Sequence, residues 1–210
     1  GPAKGVQLTH HNIENLVASN LRSDGMDFSS VLQFGPIGFD ASANEWFTAL
    51  VGGGKLVLID ARKRLDPPAM FDVVRREGVT TLLLNAMYLR KIFSDREQVK
   101  QIPECVTDIQ STGQRLVLND LMREFFRKRC RLWNEFGPAE CHVVTSMAIH
   151  PIDEFTSCPP IGFPIYNTCI AILGANEQPV EYGEKGEIYI SGDSVGPGYL
   201  NNPLLTGERF

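Results

Sequence analysis

The segment Cys130–Glu140, Cys-Arg-Leu-Trp-Asn-Glu-Phe-Gly-Pro-Ala-Glu, decides how the chain is read. A short apolar run, Cys130 to Trp133, leads into Gly137-Pro138, a pair that ends strand and helix alike. A strand that stops this way delivers side chains and free backbone groups to the carboxyl edge of a sheet, where open α/β proteins bind ligands. Asn134 brings an amide, Glu135 a carboxylate, Phe136 a flat apolar face, and Glu140 a second carboxylate beyond the turn. An aromatic face can stack on a purine, and a carboxylate can hold Mg2+ beside phosphates. An ordinary turn with a core phenylalanine and two solvated acids carries the same short pattern.

Upstream of this segment, apolar runs and amphipathic stretches alternate. The patterning predicts a helix from Thr9 or His10 to about Ser19, a strand at Val31–Phe34, and a helix bearing Trp46, Phe47 and Leu50. It continues with a strand at Lys55–Ile59, a helix from Pro67 to about Gly78, and a strand at Val79–Leu84. A helix over about Ala86–Phe93, a strand at Val106–Gln110 and an amphipathic helix over about Leu118–Lys128 complete the series. Strands alternating with helices at these lengths mean βαβ units, hence an α/β fold built on a mostly parallel sheet. After Val143 the pattern turns to strands and Gly/Pro-rich turns, with Cys169–Leu173 and Glu187–Ser191 as the clearest. A small β-rich subdomain over residues 143–210 should therefore follow an α/β unit over residues 1–142.

Composition narrows the function classes. A chain of 210 residues with 43% hydrophobic and 21% charged residues reads as an ordinary globular protein. A formal net charge of −5 argues against a dedicated nucleic-acid or anionic-membrane binder. No apolar run approaches the roughly 20 residues of a membrane span, so neither nucleic acid nor membrane is an expected partner. Five cysteines with no Cys-x-x-Cys pair fit reduced thiols in a cytoplasmic protein better than a disulfide framework or zinc site. The four histidines share no metal-ligand spacing.

Asn134-Glu-Phe-Gly-Pro-Ala-Glu140 resembles the Asn-x-Tyr-Gly-Pro-Thr-Glu motif of the adenylate-forming enzymes, most nearly the adenylation domains of nonribosomal peptide synthetases. Three further stretches resemble motifs of that family, in order. Gly1-Pro-Ala-Lys-Gly-Val6 with Leu8-Thr9-His10 is similar to the tail of its Gly-rich phosphate loop. Phe39-Asp40-Ala41-Ser42 is similar to the segment meeting the amino acid's ammonium group. Gly186–Gly192, running on to Gly198–Thr206, is similar to a strand and loop preceding the family's ribose-binding Asp. The resemblance spans essentially the whole chain. It implies an enzyme that activates an amino acid with MgATP as an aminoacyl-adenylate and passes it to the phosphopantetheine thiol of a carrier protein.

Matched residue by residue, the resemblance implies an amino-acid pocket of Asp40, Ala41, Asn44, Leu83, Gln110, Thr112, Glu135, Val143 and Val144. Asp40 would pair the α-ammonium; by itself the residue also suits a helix N-cap before Ala41-Ser42-Ala43. The polar group Asn44, Gln110 and Glu135 needs partners, which suggests a polar or cationic substrate side chain paired with Glu135. Otherwise Glu135 is protonated, or satisfied by Asn44 and Gln110, around a smaller substrate. Adenine would lie against Phe136, bordered by Gly113, Gln114 and Asn134, with Glu135, Gly137 and Ala139 completing the nucleotide segment and Glu140 on Mg2+. Lys4 would be a phosphate-loop cation or a solvated residue, and Gly1 and Gly5 would allow close backbone approach to phosphate. Phe136 for Tyr keeps the stacking face and loses a hydroxyl, and Ala139 for Thr removes a hydrogen bond to the α-phosphate.

The family's catalytic Lys, on a small C-terminal subdomain, and its ribose-binding Asp have no counterpart in these residues. The chain thus reads as an internal fragment, inactive in isolation and prone to self-association through uncovered faces. Two other readings fit the same sequence: a non-catalytic substrate-recognition subdomain, natural or engineered, and an acyl- or aryl-CoA ligase of the same superfamily. Asp40 disfavours the latter.

Overall fold

The structure, a computed structural model, describes residues 4–23, 25–150, 152 and 157–210. Its first half runs β1 (Val6–Gln7), α1 (His10–Arg22), β2 (Ser30–Gln33), α2 (Asp40–Val51), β3 (Lys55–Leu58), α3 (Ala61–Arg64) and α4 (Pro67–Glu77). Then come β4 (Thr81–Asn85), α5 (Ala86–Ile92), α6 (Arg96–Gln101), β5 (Asp108–Thr112), α7 (Asp120–Lys128) and β6 (Arg131–Phe136). The last part is β7 (Thr145–Ala148), β8 (Phe163–Pro164), β9 (Thr168–Leu173), β10 (Glu187–Gly192), β11 (Gly198–Tyr199) and α8 (Pro203–Arg209).

Seven strands form one sheet in the order β3-β2-β4-β5-β6-β7-β8, parallel as far as β6 and antiparallel beyond it. Strand alternation sends Leu82, Leu84, Ile109 and Leu132 into a large apolar core under α4, α5 and α7. The opposite face carries Val31 and Leu83, packed with Phe28 and with Ala49 of α2. Beneath α1 and α2 this second face is far more polar: Asn20, Asn44, Thr48, Gln110 and Glu135 are all buried. The mostly parallel α/β architecture read from the sequence is the one found.

Local signals explain the boundaries. Thr9 accepts a hydrogen bond from the Asn12 amide and Asn12 answers to the Thr9 amide, a capping box that starts α1. Gly78 ends α4 at φ 62, left-handed backbone, and the Val79 amide closes onto Val74 O. That closure delays β4 to Thr81 rather than Val79. Two short helices, α3 and α6, do not show in the apolar periodicity because neither buries a residue.

A helix also occurs in the C-terminal part, where strands and turns alone were expected. Asn202 caps it through Leu205 N and Pro203 takes its first turn. The expected boundary at 142/143 falls between β6 and β7, yet β7 and β8 extend the main sheet. The separate antiparallel pairs are β9–β10 and β1–β11. Among the described residues no helix is long and apolar enough to cross a membrane.

Candidate functional site

Because β4, β5 and β6 are parallel neighbours, their carboxyl ends share one edge, which is where a doubly wound sheet opens a crevice. A cavity of about 490 Å3 lies there, walled by Asp40, Asn44, Leu83, Thr112, Gly113 and Val143 among others. Ala41, Gln114 and Gly137 also line it. A second hollow of about 720 Å3 contains Lys4, Glu140, Tyr199 and the whole of β10. The two adjoin at two peptides of one turn, since Gly137 and His142 belong to the first wall and Pro138 and Cys141 to the second.

The remaining expected residues sit outside these walls. Gln110, Glu135 and Val144 are buried, and Gln110 pairs in register with Leu83, which does line the cavity. Phe136 ends β6, half-buried, on the sheet face opposite Glu135. Asn134 points with Phe136 and donates to Pro160 O at 2.7 Å. Ala139 is exposed. Gly1, in the expected phosphate loop, lies outside the described residues.

Asp40 is the first residue of α2; the N-cap position is Phe39. The Asp40 carboxylate accepts from its neighbour Ala41 N at 2.8 Å and is half-exposed to the cavity. The helix dipole favours an acid at a helix N-terminus, and this one faces the space where a cation would meet it.

Glu135 is different. It is 2% exposed and neither carboxylate oxygen has a hydrogen-bond partner. Burial alone pushes its carboxyl up to about 8. Its neighbours do not satisfy it: Asn44 Oδ1 accepts from Asn20 and Thr48, at 2.7 and 2.9 Å, while Gln110 Nε2 donates to Met26 Sδ at 3.1 Å. Gln110 Oε1 and Ser146 Oγ are also buried without partners. Ser146 is the direct cross-strand partner of Glu135. Carboxyl and amide oxygens and one hydroxyl are thus buried without partners, and each orphan of this kind calls for an explanation.

Glu45, unremarked in the sequence, also lines the cavity. Its carboxylate accepts from Phe34 N and Gly35 N at 2.9–3.1 Å, which fixes the turn after β2. Burial pushes it up to about 7 against the pull of those hydrogen bonds and of Arg64. His142 is a second wall residue that the spacing of metal ligands could not have flagged, because it binds backbone. Burial holds its imidazole below the usual range, against the opposing effect of Asp40. Gly137 is required by close approach: a Cβ there would lie 1.5 Å from His142 O.

In the second hollow, Tyr199 OH donates to Glu140 Oε1, and the Lys4 ammonium sits 5.4 Å from the Tyr199 ring centre. The described residues contain no group of three metal ligands. A single hard carboxylate beside a lysine suits Mg2+ only where phosphates and water supply the other ligands.

Comparison with known proteins shows the family and the fold. The sequence profile described as AMP-binding enzyme matches residues 1–200. The whole chain is 41% identical to a stretch of gramicidin S synthase 2 of Brevibacillus brevis, and 37% identical to one of tyrocidine synthase 2 of Brevibacillus parabrevis. It spans only 5% and 6% of those proteins. Among solved structures, the N-terminal subdomain of Klebsiella oxytoca NpsA in complex with 3-hydroxybenzoyl-AMSN superposes with a TM-score of 0.82 at 24% identity. That likeness, covering 99% of this chain and 52% of the other, concerns the fold. The NpsA-ThdA adenylation–PCP fusion gives 0.81 at 25% identity, over 99% of this chain and 38% of the fusion.

Proposed function

The chain belongs to the AMP-binding enzyme family, and we propose that it forms the substrate- and nucleotide-binding part of a nonribosomal peptide synthetase adenylation domain. The observation carrying this reading is the pair of adjoining hollows, one holding Asp40 and Gly113-Gln114, the other Lys4 and Glu140. An amino acid with its ammonium on Asp40 and ATP with its phosphates toward Glu140 would bring carboxylate and α-phosphate together at the Gly137–Pro138 peptide. The carboxylate oxygen then bonds to the α-phosphorus and the bond to pyrophosphate breaks, leaving the aminoacyl-adenylate. In a second step a phosphopantetheine thiol of a carrier protein takes the acyl group and AMP leaves. Mg2+, when bound, would neutralise phosphate charge at Glu140. The chain's own residues would orient two anions for in-line attack. Phe136 at the end of β6 would flank the base; the hydroxyl of the family's tyrosine is absent.

The same reading includes a C-terminal adenylation subdomain as partner, a cytoplasmic setting, and self-association of this 210-residue chain through β9–β10. Ile172, Ile188 and Tyr189 of that ribbon are 39–47% exposed. Sedimentation of the purified chain should show a concentration-dependent dimer, weakened by Ile188→Lys; a monomer at all concentrations would refute it.

For the substrate side chain, the unpartnered oxygens of Glu135, Gln110 and Ser146 favour a donor-rich, cationic group such as a terminal ammonium or guanidinium. The full-length protein should exchange pyrophosphate fastest with such an amino acid. Glu135→Gln should cost the cationic substrate about tenfold or more relative to its neutral isostere. An unchanged ranking would overturn the assignment. Since Glu135 is mostly neutral at pH 7 and must ionise to meet a cation, binding should release a proton and tighten as pH rises toward about 8. The sign for stability is the reverse. A carboxyl raised in the fold keeps its full contribution below the ordinary carboxylate range and loses it as pH climbs through about 8. Glutamine at position 135 should flatten that decline.

A further inference from the structure

We propose that His142 is a positioning residue that ties the amino-acid-gripping end of α2 to the turn after β6, and thereby sets how firmly the substrate ammonium is held. The inference rests on the reading of Asp40 as the ammonium contact. Its geometry is independent of that reading.

The His142 ring is 4% exposed and both of its nitrogens are engaged. The Val143 amide donates to Nδ1 at 2.8 Å, and an amide N–H can only donate, so Nδ1 carries no proton. The proton of the neutral ring is therefore on Nε2, which stands 2.8 Å from the Asp40 carbonyl oxygen and donates to it. This one bond joins residues 102 positions apart.

The two ends it joins come from different halves of the sheet. Helix α2 packs on β2 and β3, at one side. The turn follows β6, three strands from β2 in the order β2-β4-β5-β6. The cavity opens between them, with Asp40 and His142 both in its wall. Among the described residues no other hydrogen bond links the 137–144 turn to residues 39–45. The sheet ladder through β2, β4, β5 and β6 joins the two walls from below, and the imidazole adds a direct bond between them.

The backbone at this position is costly. His142 has φ 58, in the left-handed region that disfavours residues with a Cβ. The turn is held there by Val144 N donating to Phe136 O at 2.8 Å, and by Gly137 lying against the His142 carbonyl. Strain of this kind persists where surrounding structure over-determines it, and it clusters at binding sites. At position 142 it aims the ring across the cavity at Asp40.

Two substitutions separate the tie from the fold. Asparagine tolerates left-handed backbone and its carbonyl can still accept from Val143 N, but it is too short to reach the Asp40 carbonyl. Glutamine keeps a donor at the Nε2 end. In pyrophosphate exchange by the full-length protein, His142→Asn should raise KM for the amino acid about fivefold to tenfold. KM for ATP and kcat should stay within about twofold, and His142→Gln should recover part of the loss. A second readout needs no substrate. Amide hydrogen exchange over residues 40–44 should speed several-fold in His142→Asn and return toward wild type in His142→Gln.

Unchanged exchange in that segment, or an unchanged amino-acid KM, would overturn the proposal. So would a parallel rise in both KM values with a fall in Tm, which is the signature of a general packing role. If wild type exchanges pyrophosphate with no amino acid, the adenylation reading fails, and the hydrogen-exchange arm still decides the tie.

Discussion

If Asp40 holds the ammonium as proposed, Asp40→Asn is expected to lower the full-length protein's kcat/KM for the amino acid by about 30-fold to a few thousand-fold, while KM for ATP hardly moves. Removing one partner of a desolvated, hydrogen-bonded ion pair costs about 2–5 kcal/mol, and each 1.4 kcal/mol is about a factor of ten. The substitution is gentle on the fold. Asparagine can still accept from Ala41 N, as the Asp40 Oδ1 does at 2.8 Å, so the melting temperature should change little. A substrate analogue lacking the α-amino group should lose nothing on mutation, since it has no charge to pair. If the variant turned over amino acids like wild type, position 40 would revert to a helix-start residue without a role in recognition. The crevice would then need another anion for the ammonium, and Glu45, which already satisfies two amides, is the other carboxylate in its wall.

The second large effect is on stability, at the opposite edge of the sheet. Asp108 is fully buried at the start of β5. It receives Arg131 Nε and Nη2, both at 2.7 Å, Trp133 Nε1 at 3.0 Å, and Thr107 Oγ1 at 2.8 Å. Asp108→Ala would leave the buried Trp133 indole N–H without an acceptor and cut the bonds of an Arg131 guanidinium that, 44% exposed, can turn to water, a loss of about 2–3 kcal/mol. Against a total of about 5–15 kcal/mol for a typical domain, that is a large share. For a chain this size it corresponds to a fall in Tm on the order of 5–10 °C. Thermal unfolding monitored by tryptophan fluorescence would report it directly, because Trp133 is one of the partners lost. A shift under about 2 °C would mean that the cluster gains little over solvated alternatives.

The fold was legible because its signals are local. Thr9, Gly78 and the Gly137-Pro138 pair each act on their own neighbourhood, and a two-residue period survives in β4, where Leu82 and Leu84 face one core and Leu83 the other. What escaped was set by pairing partners distant in sequence. Apolar composition ends at Trp133, yet β6 runs on to Phe136 because β7 pairs with Trp133–Phe136. The polar residues Asn134 and Glu135 therefore belong to a buried strand rather than a turn. The site was legible by type and less so by depth. Asp40, Asn44, Leu83, Thr112 and Val143 reach one cavity wall, while Gln110 and Glu135 lie behind it. No one-dimensional pattern announces that a glutamate is orphaned, or that His142 donates to a carbonyl 102 positions away.

The pairing of Val6 with Tyr199 and Gln7 with Gly198 makes two segments far apart in sequence hold one another. Lys4 and Glu140 face each other across Tyr199 only while that clasp is shut. A protease nick near residue 200 would therefore be felt at residue 4 as well, and the hollow around Lys4 and Glu140 would come apart before the central strands do. Resistance to such cleavage would report on the integrity of that hollow apart from the central sheet.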